Sequence, residues 1–238
     1  MSRYVYAKIK VVSTLDGGGM FYPNRQALGD QLAMRLTQYK NTESIIFCLK
    51  KSSLLSCIEL AAHLHAYIYI LQYSEIADPY DITRNLGAIT SKGEFVLNPD
   101  ISQAEYEYIN SDFMSIIEER KREAFSRINA EPDPNPNFNL AAFNNRNILL
   151  FADILKTTFQ IQVALNLLKS YTPTVVAGTC GNITSQISDK FQIETGGCTY
   201  MDILPNTFFD DDHYFDQPDT YTEEQKISMA NNISLYWA

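Results

Sequence analysis

The chain has 238 residues, of which 45% are hydrophobic and 20% charged, and its formal net charge is −9 at pH 7. These values are typical of a folded globular protein and exclude global disorder. The negative charge disfavours nucleic acids and anionic membrane surfaces as partners, because both attract basic surfaces. No run of about 18 apolar residues predicts a membrane span. The first residues mix Arg and Lys into an apolar run and lack the layout of a signal peptide, so we expect a cytoplasmic protein.

The first 19 residues predict an extension made of one strand and a linker. Residues 4–12 alternate in the manner of a strand, and Asp16-Gly-Gly-Gly19 follows as a breaker. A glycine-rich turn before a helix is a feature of phosphate-binding loops. The spacing here matches neither Gly-x-Gly-x-x-Gly nor the Gly-Lys-Ser/Thr pattern, which favours a linker.

Apolar runs and amphipathic segments alternate along the rest of the chain. Short continuous apolar runs predict strands buried on both faces, at 44–49, 66–71, 148–152, 174–178 and 199–203. Segments with a helical period predict helices at 25–39, 54–64, 102–128, 157–170 and 182–191, and a terminal helix from about Glu223. Residues 86–97 predict a hairpin around Ser91-Lys-Gly93.

Strands that alternate with helices at this spacing predict an α/β fold with a doubly wound, mostly parallel twisted sheet flanked by helices. We expect the core at 20–203, with a flexible Pro/Asn-rich segment at 129–147. An acidic loop and helix at 204–238 would form a small C-terminal subdomain. Ligands of such sheets bind beyond the carboxyl ends of the strands. The candidate loops are therefore Lys50–Ser53, Ser74–Asn85, Asp153–Thr158 and Thr179–Asn182.

The residue types that most often bind metals form no strong pattern. Four cysteines lie at 48, 57, 180 and 198 without a C-x-x-C spacing, which favours reduced, buried thiols. His63 and His65 are two residues apart and point in different directions, so we interpret them as structural. The run from Asp210 to His213 offers oxygen ligands and one imidazole for a divalent ion, but adjacent acids in a loop are usually solvated. We therefore predict no metal site.

In chain order, the candidate loops and their neighbours resemble a group of bacterial type I phosphoribosyltransferases. FYPNRQALGDQLAMRL is similar to an opening with Phe, Arg and a G-x-x-L-A-x-x-L helix. SIIFCLKKSSLLSCIELAAHL falls where the family has a strand and P-R-G-G-V-P-V-A, and SEIADPYDITRNLGAI where it has R-K-I-G-x-P-x-N-P-E-x-A-I-G-A-V. ILLFADILKTTFQIQVAL corresponds to V-I-L-V-D-D-G-x-x-T-G-A-T, and HYFDQPDTYTEEQ to Y-x-D-F-x-Q-x-x-D-E-E. The resemblance covers roughly 20 to 235.

The resemblance implies a site for phosphoribosyl pyrophosphate (PRPP). In the family, two acids after the strand hold the ribose hydroxyls, and the Thr-Gly-x-Thr turn surrounds the 5′-phosphate at a helix N-terminus. The Arg-Gly-Gly loop approaches the pyrophosphate, and Mg²⁺ bridges the substrate oxygens. Catalysis is then mainly positioning and stabilisation of charge.

The chain departs from the ribose and phosphate motif at most positions. Asp153 matches the second acid, and Thr157 matches the first Thr. The remaining positions differ: Ala152 replaces the first acid, Ile154 and Thr158 replace glycines, and Phe159 and Gln160 replace the small residue and the Thr. Side chains therefore stand where the family has phosphate or bare backbone.

The pyrophosphate loop has changed as well. Lys51 keeps a positive charge at the Arg position, whereas Ser52 and Ser53 replace both glycines. Ser74 and Glu75 replace an Arg-Lys pair, which removes two cations. We therefore expect a degenerate member, a pseudoenzyme with a role in binding or assembly. No cofactor is expected, except Mg²⁺ if the PRPP site still functions.

Two alternatives remain open. The first is a divergent active transferase, in which Asp153 contacts the ribose while Thr157, Thr158, Lys51, Ser52 and Ser53 bind the phosphates. The second is a sensor for a nucleotide or another phosphate-bearing metabolite. The same residues also have ordinary interpretations, since Asp153 and Thr157 suit helix caps, and Lys50 and Lys51 suit a solvated loop. The chain has fifteen Tyr and thirteen Phe, and core packing is the default for most of them. If Tyr67, Tyr69 and Tyr73, with Tyr4 and Tyr6, lie on the surface, they favour a protein interface, so we expect a homodimer or a protein partner.

Overall fold

The computed structural model describes residues 21–204 and 210–236, so the predicted strand at 4–12 and the glycine-rich linker lie outside the described residues. The helices are α1 (Arg25–Arg35), α2 (Leu54–Leu64), α3 (Gln103–Ala130), α4 (Phe159–Leu168), α5 (Ser185–Glu194) and α6 (Glu223–Tyr236). The strands are β1 (Ser44–Cys48), β2 (Tyr67–Ile70), β3 (Tyr73–Ala77), β4 (Asn85–Thr90), β5 (Phe95–Leu97), β6 (Asn147–Leu155), β7 (Val175–Thr184) and β8 (Cys198–Leu204). No helix in these ranges is long and apolar enough to cross a membrane.

The described residues form two compact units. The first contains 21–71, 137–158, 170–204 and 210–236, and the second contains 72–136 and 159–169. This division does not follow the sequence boundary at 203, because α6 packs on α2 and β2. The segment expected as a C-terminal subdomain is thus part of the first unit.

The first unit is built on a five-stranded parallel sheet in the order β2-β1-β6-β7-β8. β6 lies in the centre, which explains its continuous apolar run, since both of its faces are buried. Ala177 of β7 belongs to the core formed with α1 and α2, whereas Gly178 faces Phe191 of α5. Neighbouring residues of a strand point to opposite faces, so helices cover both faces of the sheet. The predicted α/β fold with a doubly wound parallel sheet is confirmed.

The second unit is a three-stranded antiparallel sheet, β3-β4-β5, with α3 and α4. The predicted hairpin is observed as β4 and β5. The expectation that Ser74–Asn85 is a loop is wrong, because most of β3 lies within it and pairs with β4. Ser74 and Glu75 are polar residues in a strand that is only partly buried, so the apolar pattern did not reveal it.

Two strands of the first unit extend further than the sequence predicted. β6 was expected to end at Ala152, but Ile154 and Leu155 continue the pairing with β7, opposite Asn182 and Ile183. Asp153 therefore lies inside a strand and does not open a loop. Thr179–Asn182 was likewise expected as a loop and lies within β7. Polar residues in these strands interrupt the continuous apolar runs that indicate buried strands, so the sequence pattern ends before the strand does.

Candidate functional site

The candidate site is organised around the guanidinium of Arg25, the first residue of α1. Asn24 caps this helix, and its side chain accepts a hydrogen bond from the backbone N–H of Ala27. Only 3% of the Arg25 side chain is exposed. Its Nε lies 2.9 Å from Asp153 Oδ2 and one terminal nitrogen 2.8 Å from Asp219 Oδ1, while the other terminal nitrogen pairs with Asp212 Oδ1. One cation thus pairs with three carboxylates, one from β6 and two from residues 210–219.

Asp153 is the most deeply buried acid of this set, with 1% of its side chain exposed. Its backbone N–H donates to Ser53 Oγ at 2.9 Å. Its Oδ1 is buried and has no hydrogen-bond partner of good geometry, and the same holds for the Ser56 hydroxyl. Burial raises the pKa of the Asp153 carboxyl to about 6, although Arg25 and the nearby Ser56 hydroxyl act to lower it. The Asp153 carboxylate is therefore held as a partner of an internal arginine.

Two lysines converge on Asp211. Lys50 Nζ lies 2.8 Å from Asp211 Oδ2, and Lys156 Nζ lies 3.0 Å from Asp211 Oδ1. Lys50 Nζ also donates to the carbonyl of Ile154 at 2.8 Å. Burial opposes ionisation of Asp211, but the two lysines outweigh it and hold the pKa of this carboxyl below its usual value. The expectation that Lys50 lies in a solvated loop and that this acid is solvated is wrong, because each neutralises the other.

The acidic segment 210–219 is fixed to the first unit by backbone contacts as well. Tyr22 N–H donates to the Tyr214 carbonyl at 2.9 Å, and Asp216 N–H donates to the Tyr22 carbonyl at 3.0 Å. The ring of Phe215 lies 4.4 Å from the Arg25 guanidinium carbon. These contacts bring the acids of this segment to Arg25 and the two lysines.

The positions that carry glycines in the resembled turn have different surroundings here. Ile154 is fully buried and packs with Leu204 and Tyr214. Thr158 is buried, and its hydroxyl accepts from Lys190 Nζ at 3.1 Å. Thr157 is exposed. The following helix, α4, begins at Phe159. Neither Asp153 nor Thr157 directly precedes it, as a residue that caps this helix would.

The resembled pyrophosphate loop forms a short 3-10 turn, Lys51–Ser53. Ser52 is exposed and Lys51 half-buried, whereas Ser53 is fully buried against the Asp153 backbone. The structure thus joins two of the six predicted site residues, Asp153 and Ser53, by a direct hydrogen bond. The Thr158 hydroxyl is instead bound to a lysine of α5.

Sequence reasoning missed most of the ion-pair network. The helix motif that contains Arg25 does not indicate a buried charge, and adjacent acids such as those at 210–212 indicate a solvated loop. Lys226 is also buried and binds Asp219 Oδ2 at 3.0 Å, which no sequence motif indicates. The available signal was the density of acids at 210–219, five Asp residues that need cations if any of them is buried.

The residues near Asp153 do not fit a magnesium ion. Mg²⁺ is usually bound through one or two carboxylates. Here Ala152 offers no ligand, and the Asp153 carboxylate pairs with a guanidinium at 2.9 Å. An added divalent cation would lie next to Arg25 and would be repelled.

No family model matches the chain, and no curated protein matches it. The crystal structure of TT1426 from Thermus thermophilus is similar with a TM-score of 0.71 and 16% identity, over 90% of this chain and 100% of that chain. This likeness shows that the two chains share a fold.

Two further solved structures are less similar. A hypoxanthine phosphoribosyltransferase from Staphylococcus aureus in a tetragonal crystal form has a TM-score of 0.43 and 13% identity, over 77% of this chain and 74% of that chain. A hypothetical protein from Neisseria gonorrhoeae with bound ppGpp has a TM-score of 0.44 and 10% identity, over 94% and 99%. TM-scores below 0.5 do not establish a shared fold.

Removal of the Arg25 charge is expected to destabilise the protein strongly. Arg25→Met leaves Asp153 buried without its cation, a change that typically costs about 3 to 5 kcal/mol. Urea denaturation at pH 7.5 measures the free energy of unfolding. The exposed Arg122→Met is the matched control, and its effect should stay within about 0.5 kcal/mol. Adding Asp153→Asn to Arg25→Met should recover part of the loss. Equal free energies of unfolding for Arg25→Met and Arg122→Met would contradict the role of Arg25.

The raised pKa of Asp153 predicts a pH dependence of stability. The folded state holds this proton more tightly than the unfolded state, because the pKa is about 6 in the fold and 3.8 in the reference state. The contribution is therefore fully present below about pH 4 and is lost as the pH rises through 6. Other acids also titrate, so the relevant quantity is the difference in urea midpoint between the parent and Asp153→Asn from pH 4 to 8. The urea midpoint of Asp153→Asn should rise relative to that of the parent as the pH rises. A difference that stays constant from pH 4 to 8 would refute the prediction.

Proposed function

We propose that this chain is a non-catalytic protein with a type I phosphoribosyltransferase-like fold, and that it now serves binding or assembly. The single observation that carries the proposal is the pairing of Asp153 with Arg25. In the resembled family this acid contacts the ribose of PRPP. Here its Oδ2 is bound to a guanidinium and its side chain is almost completely inaccessible to solvent.

The 5′-phosphate position supports the same proposal. The resembled turn needs small residues so that backbone N–H groups can approach the phosphate. Ile154 at the first glycine position is buried among Leu204 and Tyr214, and the Thr158 hydroxyl is bound to Lys190. A buried Ile contributes about 1.5 to 3 kcal/mol relative to an exposed one. Opening this segment for an anion would sacrifice that contribution.

The charges at the strand ends support it as well. Lys50 and Lys156 neutralise Asp211, and Arg25 is paired with three further carboxylates. A polyphosphate would have to displace these internal carboxylates. The net charge of −9 also repels a polyanion.

The purified protein is expected to release no pyrophosphate from PRPP with any common nucleobase in the presence of Mg²⁺. Removing one well-placed stabilising group typically costs about 2.7 to 4 kcal/mol of transition-state stabilisation, and several family groups are absent here together. A pyrophosphate-release assay measures turnover, and an active hypoxanthine phosphoribosyltransferase serves as the positive control. Turnover that Asp153→Asn abolishes would overturn the proposal and favour an active transferase.

A sensor is the second candidate function, and the convergence of Lys50 and Lys156 on one carboxylate favours it. These two ammonium groups form a site that already holds an anion, Asp211. Millimolar PRPP or nucleoside monophosphates should leave the melting temperature of the parent unchanged if the site is only structural, because a ligand of the native state must raise it. A saturable rise that grows in Asp211→Asn and disappears in Asp153→Ala would identify a sensor.

The expected homodimer or protein partner remains part of the proposal. It is supported by exposed apolar side chains in the second unit, where Tyr80, Ile82, Tyr108 and Met114 are each more than half exposed. Light scattering at micromolar concentration is expected to give a mass above 27.1 kDa, the mass of one chain. A mass of one chain throughout a dilution series would contradict self-association while leaving the non-catalytic assignment intact.

A further inference from the structure

A second group of polar side chains lies where α1 packs on α2, and it is separate from the Arg25 network. Asp30 of α1 and Glu59 and His63 of α2 converge so that one ligand atom of each lies within 4.8 Å of the others. His63 Nε2 is 2.6 Å from Asp30 Oδ1 and 3.4 Å from Glu59 Oε1. The group combines an imidazole nitrogen with two carboxylate oxygens from two helices.

The close approach of the two helices sets this geometry. A Cβ atom on Gly29 would lie 2.6 Å from the Ser56 carbonyl oxygen and 2.7 Å from Glu59 Cβ, so only glycine permits the contact. Asp30 directly follows Gly29 and is thereby placed next to Glu59. Glu59 and His63 are four residues apart on α2 and share one face of that helix.

The charge of the group is unbalanced within the described residues. In 21–204 and 210–236, neither Asp30 nor Glu59 forms an ion pair with a lysine or an arginine, and both carboxylates contact the His63 imidazole. The carboxylates of Asp30 and Glu59 are adjacent, and they repel each other unless a proton or a metal ion lies between them. The described side chains therefore leave this position short of positive charge.

We propose that Asp30, Glu59 and His63 form a binding site for a divalent transition-metal ion such as zinc. One imidazole and two carboxylates suit zinc and its neighbours, whereas calcium and magnesium prefer oxygen ligands alone. Ligands that are about 2.0 to 2.2 Å from zinc and arranged tetrahedrally lie about 3.3 to 3.6 Å from each other. The distance of 3.4 Å between His63 Nε2 and Glu59 Oε1 already lies in this range. The distance of 2.6 Å between His63 Nε2 and Asp30 Oδ1 must increase when the ion binds.

The two side chains that must move apart are free enough to do so. His63 and Asp30 are each 49% exposed, so rotation about their side-chain bonds meets few neighbours. Three protein ligands leave the remaining coordination position to water. The bound ion would join α1 to α2 at the surface and stabilise their packing.

Zinc titration of the untagged full-length protein tests the site. Isothermal titration calorimetry in a non-coordinating buffer at pH 7.5 should give one saturable event with a micromolar Kd. His63→Gln and Glu59→Gln should each weaken binding by at least about ten-fold, because each removes a direct ligand. Cobalt substituted for zinc should give visible absorption bands that report the ligand set without any assumption about stability.

His65→Asn is the matched control. His65 is the next histidine along the chain, has a φ of 57° that Asn accepts, and does not belong to the group. Its substitution should leave zinc affinity unchanged. An absent binding event, an unchanged Kd in His63→Gln, or an equal loss in His65→Asn would overturn the proposal. The result is independent of PRPP turnover, so it stands or falls separately from the proposed function.

Discussion

The buried guanidinium of Arg25 is the constraint on which the candidate site depends. A charge that is removed from water must be paired and hydrogen-bonded, since otherwise the desolvation cost is several kcal/mol. Arg25 satisfies this requirement with Asp153 from the central strand and with Asp212 and Asp219 from the C-terminal acidic segment. One side chain thus ties the start of α1, the middle of the sheet and residues 210–219 together. Its geometry also explains why Asp153 points inward and is hidden from solvent.

The same requirement explains the second half of the network. Lys50 follows the end of β1 and Lys156 follows the end of β6, so parallel strands bring both ammonium groups to one edge of the sheet. Such an edge favours an anion, and Asp211 provides one from the chain itself. Acidic residues at 210–219 are therefore matched to cations at the strand ends. The positive charge of this edge is thus already neutralised by a carboxylate of the same chain. The binding free energy of a free anion would be only the difference between its own contacts and those of the carboxylate it displaced.

Much of the fold could be predicted from the sequence, because parallel strands that are buried on both faces contain continuous apolar runs. Residues 44–49 and 148–152 identified β1 and β6 with errors of a few residues. The errors occurred where polar side chains lie in strands: Asp153 in β6, Thr179 and Asn182 in β7, and Ser74 and Glu75 in β3. In each case backbone pairing with a neighbouring strand overrides the local pattern. The sequence predicts Asp153 as a candidate site residue but does not predict its partner, because Arg25 is 128 residues away and no short-range spacing connects them.

A charged side chain inside the protein must meet an internal counter-charge, whereas an apolar side chain in the same layer needs only to be packed. Both solutions occur side by side in β6, since Asp153 pairs with Arg25 whereas Ile154 packs against Leu204 and Tyr214. Ion pairing restricts geometry more than apolar packing does, because hydrogen bonds are directional. The ion pairs of Arg25 and of the two lysines therefore determine where the acidic segment lies, and apolar side chains fill the space that remains around it.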